Sequence, residues 1–182
     1  MKVETIVVGP LDTNCYIIEK QNDCLIIDPG DEFEKINKYI TDFKLNVKGI
    51  LITHYHFDHI QALNKCVNTF ECPIIDYKNK QKIPDFNYEI IETKGHHFSS
   101  VTFYFKQINS MFVGDLMFKG SIGRTDLEGA NEKDIINSLK KIIKFEENIK
   151  IYPGHGPSTY LNEEKKTNPY LKVENYLWLQ VY

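Results

Sequence analysis

The chain has 182 residues, 42% hydrophobic and 26% charged, which suits one packed domain and is too even a mixture for disorder. With 22 basic and 25 acidic side chains the formal charge is −3, so nothing calls for a polyanionic partner and no nucleic acid is expected. No apolar run approaches the ~20 residues of a membrane span. Glu4 stands where a secretory signal would have its basic start and apolar stretch, so a cytoplasmic protein without a membrane partner is expected.

Segments 3–8 and 15–19 are rich in β-branched and aromatic residues and read as strands across a polar turn. Leu25, Ile26 and Ile27 form a third strand, stopped by Asp28-Pro29-Gly30. Over 32–43, Phe33, Ile36, Tyr39, Ile40 and Phe43 recur at three-and-four spacing, the pattern of an amphipathic helix. The all-apolar run 49–52 predicts a strand covered on both faces, and it leads straight into Thr53-His54. Strands are predicted again at 88–93, 101–105 and 111–114. A helix then starts from an Asn131 cap and carries Ile135, Ile136, Leu139, Ile142 and Ile143. Segment 149–152 is a last strand, ended by Pro153-Gly154. In the tail, Tyr170, Val173, Tyr176 and Leu177 would line one further helix. Strands, helix, strands, helix predicts an α/β protein, a four-layer αββα sandwich with two mixed sheets and helices outside, as a single domain over 1–182. Cys15, Cys24, Cys66 and Cys72 include no C-x-x-C pair and are expected as buried thiols, not a disulfide framework.

Residues 54–59 read His-Tyr-His-Phe-Asp-His, so four metal-competent side chains fall within six residues, directly after a buried strand. Neutral imidazole nitrogens mixed with carboxylate oxygens suit zinc, and also iron or manganese. The remaining candidates lie at strand ends too: His96 and His97 after Gly95, Asp115 after the strand at 111–114, and His155 between Gly154 and Gly156. A sheet holds side chains rigidly at such positions and leaves them accessible.

H-x-H-x-D-H, then Lys94-Gly95-His96, Gly114-Asp115 and Pro153-Gly154-His155-Gly156, in that order, resemble the metallo-β-lactamase fold superfamily. The stretch 114–127, with Gly123-Arg124-Thr125-Asp126, is similar to that of small glyoxalase II-like (hydroxyacylglutathione hydrolase-like) hydrolases, and the similarity runs over 13–156. The resemblance implies two divalent metal ions, zinc first, with iron or manganese as alternatives. His54, His56 and His96 would hold one; Asp58, His59 and His155 the other; Asp115 would bridge them. Asp58 and Asp115 are then the candidate catalytic carboxylates, and Asp28 would brace the metal loop from behind. His97 stands where relatives carry a small hydroxyl residue and is not assigned to the metal.

The implied reaction is hydrolysis, with a metal-bridging hydroxide attacking an acyl carbon. A thiol of pKa roughly 8.5 leaves without a general acid, which favours a small-molecule acyl thioester as substrate. About 26 residues follow Gly156, so the C-terminal helical domain of full-length glyoxalase II is not expected. Where those enzymes contact glutathione, this chain has Arg124, Asp126 and Pro157, and Arg124 can pair with a substrate carboxylate. The first alternative is a persulfide dioxygenase with one iron on His54, His96 and Asp115. A phosphodiesterase or nuclease ranks lower, as does a non-enzymatic metal-binding scaffold. The Tyr-rich tail is compatible with a monomer or a homodimer.

Overall fold

The computed structural model describes residues 1–145 and 148–171. A first sheet holds β1 (Lys2–Val8), β2 (Thr13–Lys20), β3 (Asp23–Ile27), β4 (Asn46–Leu51) and β5 (Ile74–Ile75), in that spatial order. β1, β2 and β3 pair antiparallel, whereas β3, β4 and β5 run parallel. The second sheet has the order β12 (Thr159–Tyr160), β11 (Lys150–Pro153), β8 (Ser110–Gly114), β7 (Val101–Phe105) and β6 (Glu89–Glu92). Its β8 and β11 are parallel and its other pairs antiparallel. Both sheets are therefore mixed. A short hairpin, β9 (Met117–Phe118) and β10 (Ser121–Ile122), follows Asp115.

The side-chain period of two sorts each strand's residues between layers. Tyr16, Ile18, Leu25, Ile27 and Leu51 face Phe103, Phe105 and Phe112 across the gap between the sheets. The alternate residues Cys15, Ile17, Cys24, Ile26 and Ile50 face outward instead. They pack beneath α1 (Phe33–Asp42) and α3 (Leu63–Phe70), through Ile36, Ile40, Leu63 and Cys66. On the far side, Met111, Val113 and Ile151 meet Ile135, Leu139 and Ile142 of α4 (Glu132–Ile142), together with Leu161 of α5 (Leu161–Thr167). The result is the four-layer α/β sandwich predicted from the sequence. Each fully buried aliphatic or aromatic side chain contributes roughly 1.5–3 kcal/mol to holding these layers together.

The Asn131 cap is present, its side-chain oxygen accepting from the Asp134 backbone N–H at 3.0 Å. All four cysteines are free and buried in the first outer layer. Three helices go beyond the sequence reading: α3, α5 and the single turn α2 (Phe57–Ile60). In the tail the chain forms α5 and a 3-10 turn at Pro169–Leu171, which includes Tyr170. The helix predicted to continue through Val173, Tyr176 and Leu177 lies outside the described residues. Among the described residues no helix is long and apolar enough to cross a membrane.

The topology brings one set of strand ends to a single edge. β3 and β4 are parallel, so Asp28 and Thr53-His54 emerge together, and antiparallel β2 begins beside them at Thr13. β8 and β11 are parallel as well, so Asp115 and Gly154-His155 leave their sheet side by side. Backbone bonds tie the two edges together: Asn14 N–H to Gly154 O at 2.7 Å, and Val101 N–H to Thr53 O at 2.8 Å.

Candidate metal centre

The structure brings all seven predicted ligand residues to this edge. His54 Nε2 lies 3.0 Å from His56 Nδ1, and His96 Nε2 lies 2.9 Å from the same atom. Beside this triad, Asp58 Oδ2 is 3.2 Å from His155 Nε2 and 3.5 Å from His59 Nε2. Asp115 sits between, Oδ2 at 3.4 Å from His96 Nε2 and Oδ1 at 3.4 Å from His59 Nε2. His54, His56 and His96 form one group with donor atoms within 4.8 Å of one another, and Asp58, His59 and His155 form another. A third group, His54, His59 and Asp115, overlaps both.

Hydrogen bonds behind the imidazoles decide which nitrogen carries a hydrogen. His96 Nδ1 faces the Arg124 carbonyl at 2.9 Å and His155 Nδ1 the Leu11 carbonyl at 3.0 Å. A carbonyl only accepts, so both Nδ1 atoms are donors and both Nε2 atoms present lone pairs inward. Asp28 sets the other two rings. Its carboxylate accepts from Thr53 N–H at 2.7 Å, from the Thr53 hydroxyl at 2.6 Å, and from His59 Nδ1–H at 3.0 Å. The Thr53 oxygen, having given its hydrogen to Asp28, accepts from His54 Nδ1–H at 3.1 Å. Asp28 therefore orients His59 directly and His54 through Thr53.

With four Nε2 lone pairs and two carboxylates facing one another, His56 can supply one hydrogen at most. The buried His59 Nε2 and Asp115 Oδ1 have no hydrogen-bond partner among the described residues. An acceptor-only cluster of this kind fits a cation, and imidazole with carboxylate is a donor set for divalent metals. The electrostatics divide the rings: His54 and His56 are held neutral, whereas His59 and His155 are drawn toward protonation by the carboxylates, so a cation bound there would take the place of a proton. Burial, with neighbouring imidazoles, pushes His54 well below its ordinary value, and likewise brings His56 down to about 4. Burial opposes charge on His59, but Asp115 and Asp28 raise it to about 10. Burial likewise opposes ionisation of Asp58 and Asp115, yet the imidazoles hold both below the usual carboxylate range.

Two supports escaped the sequence reading. Thr13 donates its hydroxyl to Asp58 Oδ2 at 3.0 Å, and Asn14 donates to the Pro153 and Gly156 carbonyls, holding the His155 turn. Neither residue type signals a metal site by itself. Gly154 is required by space: a Cβ there would fall 2.1 Å from Asp115 Oδ1.

A cleft of about 790 Å³ opens over the cluster, walled by Leu11, Phe57, Phe98 and Leu127 with His97 and Arg124. His97 is nine-tenths buried and takes no part in either triad. Arg124, which the sequence offers as a partner for a substrate carboxylate, lines the cleft and forks onto Asp126, with Nε and Nη2 each 2.7 Å from a carboxylate oxygen.

Comparison with known proteins agrees with this architecture. Residues 8–84 match the family model described as the metallo-beta-lactamase superfamily. A probable metallo-hydrolase, YqgX of Bacillus subtilis, is 32% identical over 206 residues, covering 94% of this chain and 98% of that one. The hydroxyacylglutathione hydrolase GloC of Haemophilus influenzae is 30% identical, over 96% and 100% of the two chains. Among solved structures, the BLEG-1 B3 metallo-beta-lactamase superimposes with a TM-score of 0.90 at 28% identity, over 94% and 100%. TTHA1623, solved in a di-iron-bound form, gives 0.83 at 31% identity, over 92% and 100%. Fold, ligand-competent cluster and full-length relatives converge, and the chain belongs to the metallo-β-lactamase superfamily of metal-dependent hydrolases.

Proposed function

We propose that the protein hydrolyses small-molecule acyl thioesters at a dinuclear centre, His54, His56 and His96 holding one divalent cation, Asp58, His59 and His155 the other, and Asp115 shared by both. The observation that carries this reading is the acceptor-only cluster, whose inward lone pairs are fixed by hydrogen bonds from behind. Two such cations supply an activated water at neutral pH and a Lewis-acid contact for the acyl oxygen. His/Asp donors accept zinc and iron alike, and the di-iron form of TTHA1623 fits that choice.

The chain's own part is positioning. Asp58, held by the Thr13 hydroxyl, would accept a hydrogen bond from the attacking water and aim it at the acyl carbon. Asp28 and the carbonyls of Arg124 and Leu11 keep four imidazoles from turning. The C–O bond forms, the C–S bond breaks, and a carboxylic acid and a thiol result. A thiol of pKa roughly 8.5 departs as thiolate, so the cleft need supply no proton to the leaving group. Similarity to GloC over the whole chain supports the thioester class.

The test is elemental analysis of the purified protein, then thiol release from S-D-lactoylglutathione and from simple acyl thioesters. About two metal equivalents with thiol release is the expected result. One iron per chain, with oxygen uptake on a glutathione persulfide and no thioester cleavage, would replace hydrolysis by oxygenation.

A further inference from the structure

His97 is a polar side chain, nine-tenths buried, that the metal cluster does not use. Ser99 fixes its hydrogen. The Ser99 backbone N–H donates to His97 Nδ1 at 3.2 Å, so that nitrogen is an acceptor. The Ser99 hydroxyl oxygen accepts from the Tyr55 N–H, which leaves its own hydrogen to donate to the same Nδ1 at 2.6 Å. The ring is thus neutral, with its hydrogen on Nε2, and Nε2 has no hydrogen-bond partner among the described residues. The imidazole leans on His56, centroids 4.8 Å apart, at the edge of the metal cluster. Gly129, at φ +80°, passes its Nε2 edge without a side chain; a Cβ there would stand 3.8 Å from that nitrogen. The donor is therefore left open to the cleft that both residues line.

The surrounding wall narrows what this donor meets. Leu11, Phe57, Phe98 and Leu127 are large apolar side chains exposed around the cleft, Phe57 by 60% and Phe98 by 54%. Among the described residues Arg124 is the one lysine or arginine lining it and is forked onto Asp126, while Glu128 adds an acid. Such a wall favours an apolar arm and offers little to an anionic one.

We propose that His97 is a specificity-determining residue whose Nε2–H hydrogen-bonds an uncharged oxygen acceptor on an otherwise apolar arm of the substrate. This deepens the hydrolytic reading and rests on it for the reaction, but not for the binding contact. A site built to donate a hydrogen bond discriminates against a ligand lacking the acceptor.

The test uses a matched pair differing only in oxygen against methylene: phenoxyacetyl and 3-phenylpropionyl thioesters of N-acetylcysteamine. The corresponding uncleavable thioethers, 2-phenoxyethyl and 3-phenylpropyl, are titrated calorimetrically against the protein as purified. The wild type should bind the ether roughly tenfold more tightly than the alkyl compound. That preference, and its share of the kcat/KM ratio, should vanish in His97→Phe, or in His97→Ala if the phenylalanine does not fold. His97→Gln, which keeps an N–H donor, should retain part of it. Equal wild-type affinities overturn the assignment, as does a preference that survives His97→Phe and His97→Ala. Loss of a full metal equivalent from these variants also overturns it, because His97 would then belong to the metal centre. If neither thioester is cleaved while the affinity difference still depends on His97, the donor assignment stands and the thioester reading fails.

Discussion

The floor of the cleft and its rim lie a few ångströms apart and are held by different means. In the floor, a second ring of atoms constrains each ligand-competent side chain: Asp28 and Thr53 behind His54 and His59, carbonyls behind His96 and His155, and Thr13 beside Asp58. These groups sit at strand ends and are largely buried. At the rim, Phe57 and Phe98 are exposed to solvent, and the exposed side chains of Arg124 and Asp126 pair with each other. The floor is over-determined by the scaffold, so the chemistry is fixed with the fold. The rim is determined by a few side chains, which can be exchanged with less effect on the cluster beneath them.

The largest expected effect is on the shared carboxylate. Asp115→Asn should lower thiol-release kcat by roughly 10²–10³-fold and reduce metal content in elemental analysis; full content with wild-type turnover would remove Asp115 from the centre. Next comes Asp28→Asn, which touches no proposed metal yet disturbs two ligand rings. A loss of roughly 10–100-fold in metal affinity, read by chelator competition, is expected. If affinity holds, the floor does not depend on its backing. Asn131→Ala removes only the α4 cap and should cost about 1 kcal/mol in denaturant unfolding, with kcat/KM on acetyl thioesters unchanged; a loss of metal there would show the floor coupled to the outer helix layer. The smallest effect is expected at the rim. Arg124→Ala should change kcat/KM by less than about threefold on uncharged and anionic thioesters alike, since an exposed, already paired guanidinium contributes little. A large loss confined to anionic substrates would mean that Arg124 exchanges Asp126 for the substrate.

The sequence made the floor legible because its chemistry is carried by rare residue types in a tight run at 54–59, each following a recognisable strand. Its supports were hidden for a physical reason. Leu11 and Arg124 act through backbone carbonyls, which no side chain announces. Thr13 and Asn14 are ordinary strand-edge polar residues until the second sheet docks against them. α3 was missed because it spans only eight residues, has no side-chain cap, and builds its apolar face partly from Cys66. Spacing alone suggests the Arg124–Asp126 pair, but two such neighbours face apart in a loop as readily as together, and only the fold brings them into contact.

The loop before β2 is bonded to the loop after β11. Asn14 and Tyr16, near the start of the chain, both donate to the Pro153 carbonyl, and Thr13 bridges to His155. The polypeptide must therefore emerge from the ribosome past His155 before the second triad can assemble. Nascent chains shorter than this would display the 54–59 cluster without His155, so the full donor set can form only after synthesis has passed that residue.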